Sequence, residues 1–171
     1  MVNQNMKFKY LNGYQNELLI QVEKLVASNT LGEFLAKRYP AGSEISTEKA
    51  LYDYTIAIKQ KFMKKSGPLS KVIFDKKISI ANQALGLHSF VSRIQGKKLK
   101  AKNEIRIATV FRKVPEPLLR VIVVHELAHL KEKEHDKSFY KLCQHMEPNY
   151  FQLEFDMRLY LTFLDLKSNQ K

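Results

Sequence analysis

The chain has 171 residues, 44% of them hydrophobic and 27% charged, with few Gly and Pro. A chain of this size buries about two thirds of its unfolded surface, so a disordered or fibrous class is excluded and no disulfide or metal is required for folding. The formal charge of +12 is lopsided: residues 1–115 hold 21 Lys and Arg against 8 Asp and Glu, an excess of +13, whereas residues 116–171 hold 8 against 9, or −1.

The polar stretch from Met1 to Tyr14 lacks the apolar core of a secretory signal, and nowhere do about 18 apolar residues run together. The expectation is a cytoplasmic protein without membrane attachment. A single cysteine, Cys143, cannot form an intramolecular disulfide, which agrees with a reducing compartment, and its surroundings predict a packed position on a helix. The Lys-rich stretches 59–65, 71–77 and 97–102 read first as solvated surface. Second, they are a field able to attract nucleic acid or a nucleotide to the basic N-terminal part.

In chain order, apolar residues at helical spacing from Gln15 to Tyr39 predict one long helix or two short ones, with Gly32 as the interruption. Pro40, Gly42 and Ser43 end this run. Ser46 or Thr47, followed by Glu48, opens a second amphipathic helix through Phe62, which Ser66-Gly67-Pro68 stops. The period then changes: Val72 to Phe74, Leu87 to Val91 and Ile105 to Phe111 are short, β-branched or aromatic runs that predict strands. Pro115 and Pro117 mark the start of a helix over 118–131, apolar on nearly every side and therefore a buried central element. Helices from about Asp136 to Met146, with Asp136 as N-cap, and from about Asn149 to Leu166 complete an α+β order of helices, small sheet, helices. A single domain over 1–171 is expected, helical over about 1–65, with the sheet and site helices over about 70–171.

The central helix carries His125-Glu126-Leu127-Ala128-His129, the His-Glu-x-x-His pattern. Random placement of these residues would produce it in on the order of one per cent of shuffled chains, so context must add weight. It does. On a helix, positions i and i+4 share one face about 6 Å apart along the axis, letting two imidazoles converge on one ion while Glu126 stands beside them as a proton acceptor. Imidazoles and a carboxylate on an otherwise apolar helix are costly to bury unless a cation pairs with them.

A catalytic zinc keeps three protein ligands and an open position. His135 is the expected third ligand, provided the chain leaves the helix after Leu130 and folds back through Lys131-Glu132-Lys133-Glu134. The histidine spacing equals that of His-Glu-x-x-His-x-x-Gly-x-x-His, with Glu132 in place of glycine, a replacement that would cost roughly 1 to 2 kcal/mol if the turn required a left-handed residue there. Glu154 is the alternative third ligand. His88, in a predicted strand, and His145, near a helix end, lack ligand spacing.

The run Val121 to Leu130, followed by Glu134-His-Asp-Lys-Ser-Phe-Tyr140, resembles the YgjP-like metallopeptidase-domain family, a zincin-like group of small metal-dependent hydrolases. The likeness extends to Ser92-Arg93 and Gly96, Asn103 to Ile107, Pro115 and Pro148-Asn-Tyr150, about half of the chain. Family members commonly carry Trp-Gly after Ser-Arg, where this chain has Ile94-Gln95-Gly96. The resemblance implies a zincin-like fold with a small sheet packed against the motif helix, one Zn²⁺ per chain on His125, His129 and His135, and Glu126 as general base.

The expected function is accordingly a zinc metallopeptidase, with a peptide or protein substrate and with Arg93, Tyr140 or Tyr150 as candidate donors to the oxyanion. Two alternatives stand beside it. A metal-dependent nucleoside-triphosphate pyrophosphatase would use the same water, although phosphate cleavage more often employs oxygen-bound Mg²⁺ and no glycine-rich phosphate loop is visible. A non-catalytic zinc-containing nucleic-acid or protein-binding module would need a fourth protein ligand, for which Cys143 is the sole thiolate.

Overall fold

A computed structural model of the chain describes residues 8–80 and 103–169. Within them lie six α-helices and a two-stranded sheet in the order α1 (Asn16–Ala27), α2 (Leu31–Arg38), α3 (Glu48–Phe62), β1 (Leu69–Asp75), β2 (Asn103–Ala108), α4 (Glu116–Ala128), α5 (Lys137–Met146) and α6 (Tyr150–Ser168). This is the expected α+β order. The strand predicted over Leu87 to Val91, together with His88, Arg93 and Lys97 to Lys102, lies outside the described residues.

Two helices occupy 15–39, but they part at Asn29, not at Gly32. The N–H groups of Asn29 and Thr30 donate to the carbonyls of Val26 and Leu25, which closes α1 with a Schellman turn whose left-handed residue is Asn29 at φ 56. Asparagine tolerates that conformation, so the break follows the capping chemistry. Gly32 instead lies inside α2, where an added Cβ would come within 2.8 Å of the Phe163 ring. Thr47 opens α3 by accepting from the N–H of Ala50 at 3.1 Å, as its side-chain chemistry predicts.

The strands pair in parallel, Val72 opposite Ile105 and Phe74 opposite Ile107, and all four residues are buried. The strand predicted to run to Phe111 stops at Ala108. From Thr109 to Arg112 the chain turns through a 3₁₀ segment that leaves Thr109 and Val110 half-buried and puts Phe111 wholly in the core. Strand alternation would have sent Val110 and Phe111 to opposite faces of the sheet, so burial of the larger ring accompanies the change of backbone.

Helix α4 is the centre of the molecule. Pro115 caps it, Pro117 sits in its first turn, and every residue from Leu118 to Ala128 except Arg120 is buried. It packs against α3, α5, α6 and β2. A second, smaller apolar cluster gathers Phe8, Leu11, Val22, Leu31 and Leu35 on Leu159 of α6, and Tyr160 packs against both clusters. The buried carboxylate of Asp156 ties α2 to α6: it accepts from Arg38 Nε at 2.7 Å, the Tyr39 hydroxyl at 2.5 Å and Gln152 Nε2 at 3.0 Å. Partners on every side make burial of this charge tolerable. Among the described residues no helix is long and apolar enough to cross a membrane.

Candidate metal centre

The last turn of α4 creates the site. His129 ends the helix, and the N–H groups of Leu130, Lys131 and Glu132 donate to the carbonyls of Leu127, Ala128 and Ala128, tightening the final turn before the chain folds back. His135 returns one residue ahead of Asp136, whose carboxylate caps α5 by accepting from the N–H of Phe139 at 3.0 Å. Glu132 does not adopt a positive φ. Asn29 is the only non-glycine residue that does so among those described, so the turn needs no glycine and the strain considered for Glu132 is absent.

This fold-back brings together the three histidines singled out by spacing. Their Nε2 atoms lie 3.2 Å apart for His125 and His129, 3.1 Å for His125 and His135, and 3.0 Å for His129 and His135. His125 and His129 are buried, Glu126 between them is 9% exposed, and His135 faces solvent. Nitrogens bound at about 2.0–2.1 Å around a tetrahedral ion stand a little over 3 Å from one another, which is the spacing found. Three ring nitrogens directed at one point cannot all satisfy one another by hydrogen bonding, so the donor set fits a metal ion. Among the described residues this cluster contains three donors, leaving a tetrahedral ion one open position.

Two rings are fixed from behind. His129 Nδ1 lies 3.0 Å from the carbonyl of Glu132, which can only accept, so Nδ1 carries the hydrogen and Nε2 presents its lone pair. His125 Nδ1 meets the Tyr150 hydroxyl at 2.8 Å. Burial raises the Tyr150 hydroxyl well above the ordinary phenol range and keeps it protonated. The Tyr150 hydroxyl thus meets His125 at Nδ1, while Nε2 of the same ring is the atom that joins the cluster; Arg93 lies outside the described residues.

Glu154, the alternative third ligand, is absent from the cluster and pairs with Arg158 at 2.9 Å. His145 stacks edge-on against Phe62 and is also apart from it. A cavity of about 220 Å³ between α2 and α6 includes Pro115 in its wall, at the opposite end of α4 from the histidines, roughly 15 Å along the axis, so it is not the site of their chemistry.

Spacing alone did not reveal Tyr150, the Glu132 carbonyl or Phe139, which touches all three imidazoles. Only Phe139 left a trace in the sequence, in the first turn of the helix that Asp136, next to His135, is predicted to cap. Cys143 is wholly buried, and burial pushes its thiol up to about 12. A thiol reagent at neutral pH should titrate no cysteine in the native protein and one after denaturation, followed by absorbance of the released chromophore.

The chain belongs to the YgjP-like, metallopeptidase domain family, which it matches over residues 73–158. It is 59% identical to the UTP pyrophosphatase of Escherichia coli (strain K12) over 94% of this chain and 96% of the relative. No solved structure gives a significant match. The relative overturns the expectation of a metallopeptidase with a peptide or protein substrate. The chemical reason lies in the motif: histidines and a glutamate prepare a water molecule for attack, and nothing in their spacing selects a carbonyl carbon over a phosphorus as the target.

Proposed function

We propose that the chain is a metal-dependent nucleoside-triphosphate pyrophosphatase with UTP among its substrates. The observation carrying this reading is the 59% identity to a UTP pyrophosphatase, which extends over nearly the full length of both chains and includes the elements that build the site. We take the domain as one zincin-like unit and its residence as cytoplasmic, in keeping with an unpaired cysteine. We take the ion as a single Zn²⁺ held by His125, His129 and His135, since an all-imidazole set suits zinc better than Mg²⁺.

A divalent cation at these nitrogens supplies Lewis acidity, drawing charge from a phosphoryl oxygen and lowering the pKa of water. Glu126 accepts the proton as the water oxygen forms its bond to the α-phosphorus. The bond from that phosphorus to the bridging oxygen breaks, and pyrophosphate leaves with its electron pair. The products are the nucleoside monophosphate and pyrophosphate, and the proton on Glu126 passes to solvent or to the leaving group. Tyr150 and the Glu132 carbonyl hold two of the rings in the tautomer that keeps Nε2 bare.

The test is product analysis of UTP, other nucleoside triphosphates and an unstructured peptide incubated with the purified protein. UMP and pyrophosphate should accumulate, cease to form after chelation, and form again on adding Zn²⁺, while the peptide stays intact. Metal-loaded protein that releases no pyrophosphate from any nucleotide would overturn the reading.

A further inference from the structure

The four rings at the centre have a regular geometry. The imidazole centroids of His125, His129 and His135 are 4.8–4.9 Å apart, and the Phe139 centroid lies 4.8, 4.6 and 4.7 Å from them in turn. Phe139 is thus equidistant from the three rings, at the fourth corner of a near-regular tetrahedron, and is wholly buried. A phenyl ring this close on the side where the Nε2 atoms converge would occupy the place of an ion bound at about 2.0 Å. An ion held by the three nitrogens would therefore require the phenyl ring to lie on the far side of the imidazoles from it.

The rings also differ in how they are held. His125 and His129 each have an Nδ1 partner, whereas His135 Nδ1 has no hydrogen-bond partner among the described residues, and its ring is exposed. Among the described residues, the rings in contact with His135 are the other two histidines, Phe139 and, at 6.4 Å, Tyr140. Ring contact therefore takes the place that a hydrogen bond fills for the other two ligands.

We propose that Phe139 is a positioning residue of the metal centre, an apolar floor that sets the convergence of the three imidazoles and, above all, places His135. Helix α5 supplies the rigidity: Asp136 caps it on the N–H of Phe139 itself, so the same turn fixes the ring and the third ligand. This inference rests on the metal-centre reading above, and its test separates the two.

Phe139→Leu and Phe139→Met keep an apolar side chain but remove the flat ring. Each is compared with wild type and with Phe111→Leu, which changes an equally buried ring in the 3₁₀ segment after β2. The readouts are Co²⁺ affinity by chelator competition, the visible absorption of the Co²⁺-loaded protein, and cooperative melting of the metal-free protein. The Phe139 variants should melt cooperatively, bind Co²⁺ more weakly by on the order of tenfold, and show altered absorption bands, while Phe111→Leu loses stability but keeps wild-type affinity and bands. Unchanged affinity and bands in both Phe139 variants, or an equal weakening in Phe111→Leu, would overturn the proposal. Co²⁺ affinity left at the wild-type value by His129→Ala would overturn the metal-centre reading as well.

Discussion

Glu126→Gln protein should carry its full metal complement and hydrolyse UTP slower by on the order of a hundredfold to ten-thousandfold. The amide keeps nearly the volume of the carboxylate, so the 9% exposed position stays filled, and the three imidazoles of the cluster are untouched. What is lost is the acceptor for the proton of the attacking water, and general bases contribute rate factors of about this size. Elemental analysis and initial rates of pyrophosphate release on the same preparation check both halves. A variant with wild-type turnover would remove Glu126 from the reaction.

The second large effect is on metal content. His125→Ala and His129→Ala should each leave roughly a tenth of the wild-type metal or less after purification without added ion, because two nitrogens hold a divalent cation far less firmly than three. His135→Ala should lose metal similarly but differ in stability. His125 is buried against the Tyr150 hydroxyl, so its removal opens space and takes away a hydrogen-bond partner at a cost of about 1–3 kcal/mol, visible as a lower melting temperature of the metal-free protein. His135 is exposed, and its loss should shift that temperature little. Undiminished metal in all three variants would dismiss the ligand assignment.

The convergence of the three histidines was legible because its signal is periodic and local. Two histidines four apart on an apolar helix share a face whatever surrounds them, and a third beyond a polar stretch can reach them only if the helix stops. Both conditions are met in the fold. The caps at Thr47 and Asp136 were legible for the same reason, since each is a side chain reaching a backbone N–H three residues ahead.

Other features depend on partners distant in sequence. Tyr150 meets His125 across 25 positions, and no spacing rule connects a phenol on one helix with an imidazole on another. The end of β2 at Ala108 follows from where Phe111 finds room, a property of the assembled core. The division between α1 and α2 was placed at the glycine, the stronger breaker, whereas the backbone bonds that close α1 put Asn29 in the left-handed position. Substrate choice was illegible for a chemical reason: the motif describes how water is made nucleophilic and is silent on the electrophile. The metallopeptidase expectation gave weight to a missing phosphate loop and to the rarity of imidazole-held ions in phosphate chemistry, and a close relative outweighs both.

Between His129 and His135 the chain makes its reversal with main-chain atoms. The carbonyl that receives the His129 hydrogen belongs to Glu132, but any amino acid would offer the same oxygen, and Lys131, Lys133 and Glu134 are exposed. The identities of these residues are therefore loosely constrained, while their number is tightly constrained. One residue more or fewer would shift that oxygen relative to its imidazole and swing the third donor out of register, so evolution in this segment should proceed by substitution and seldom by change of length.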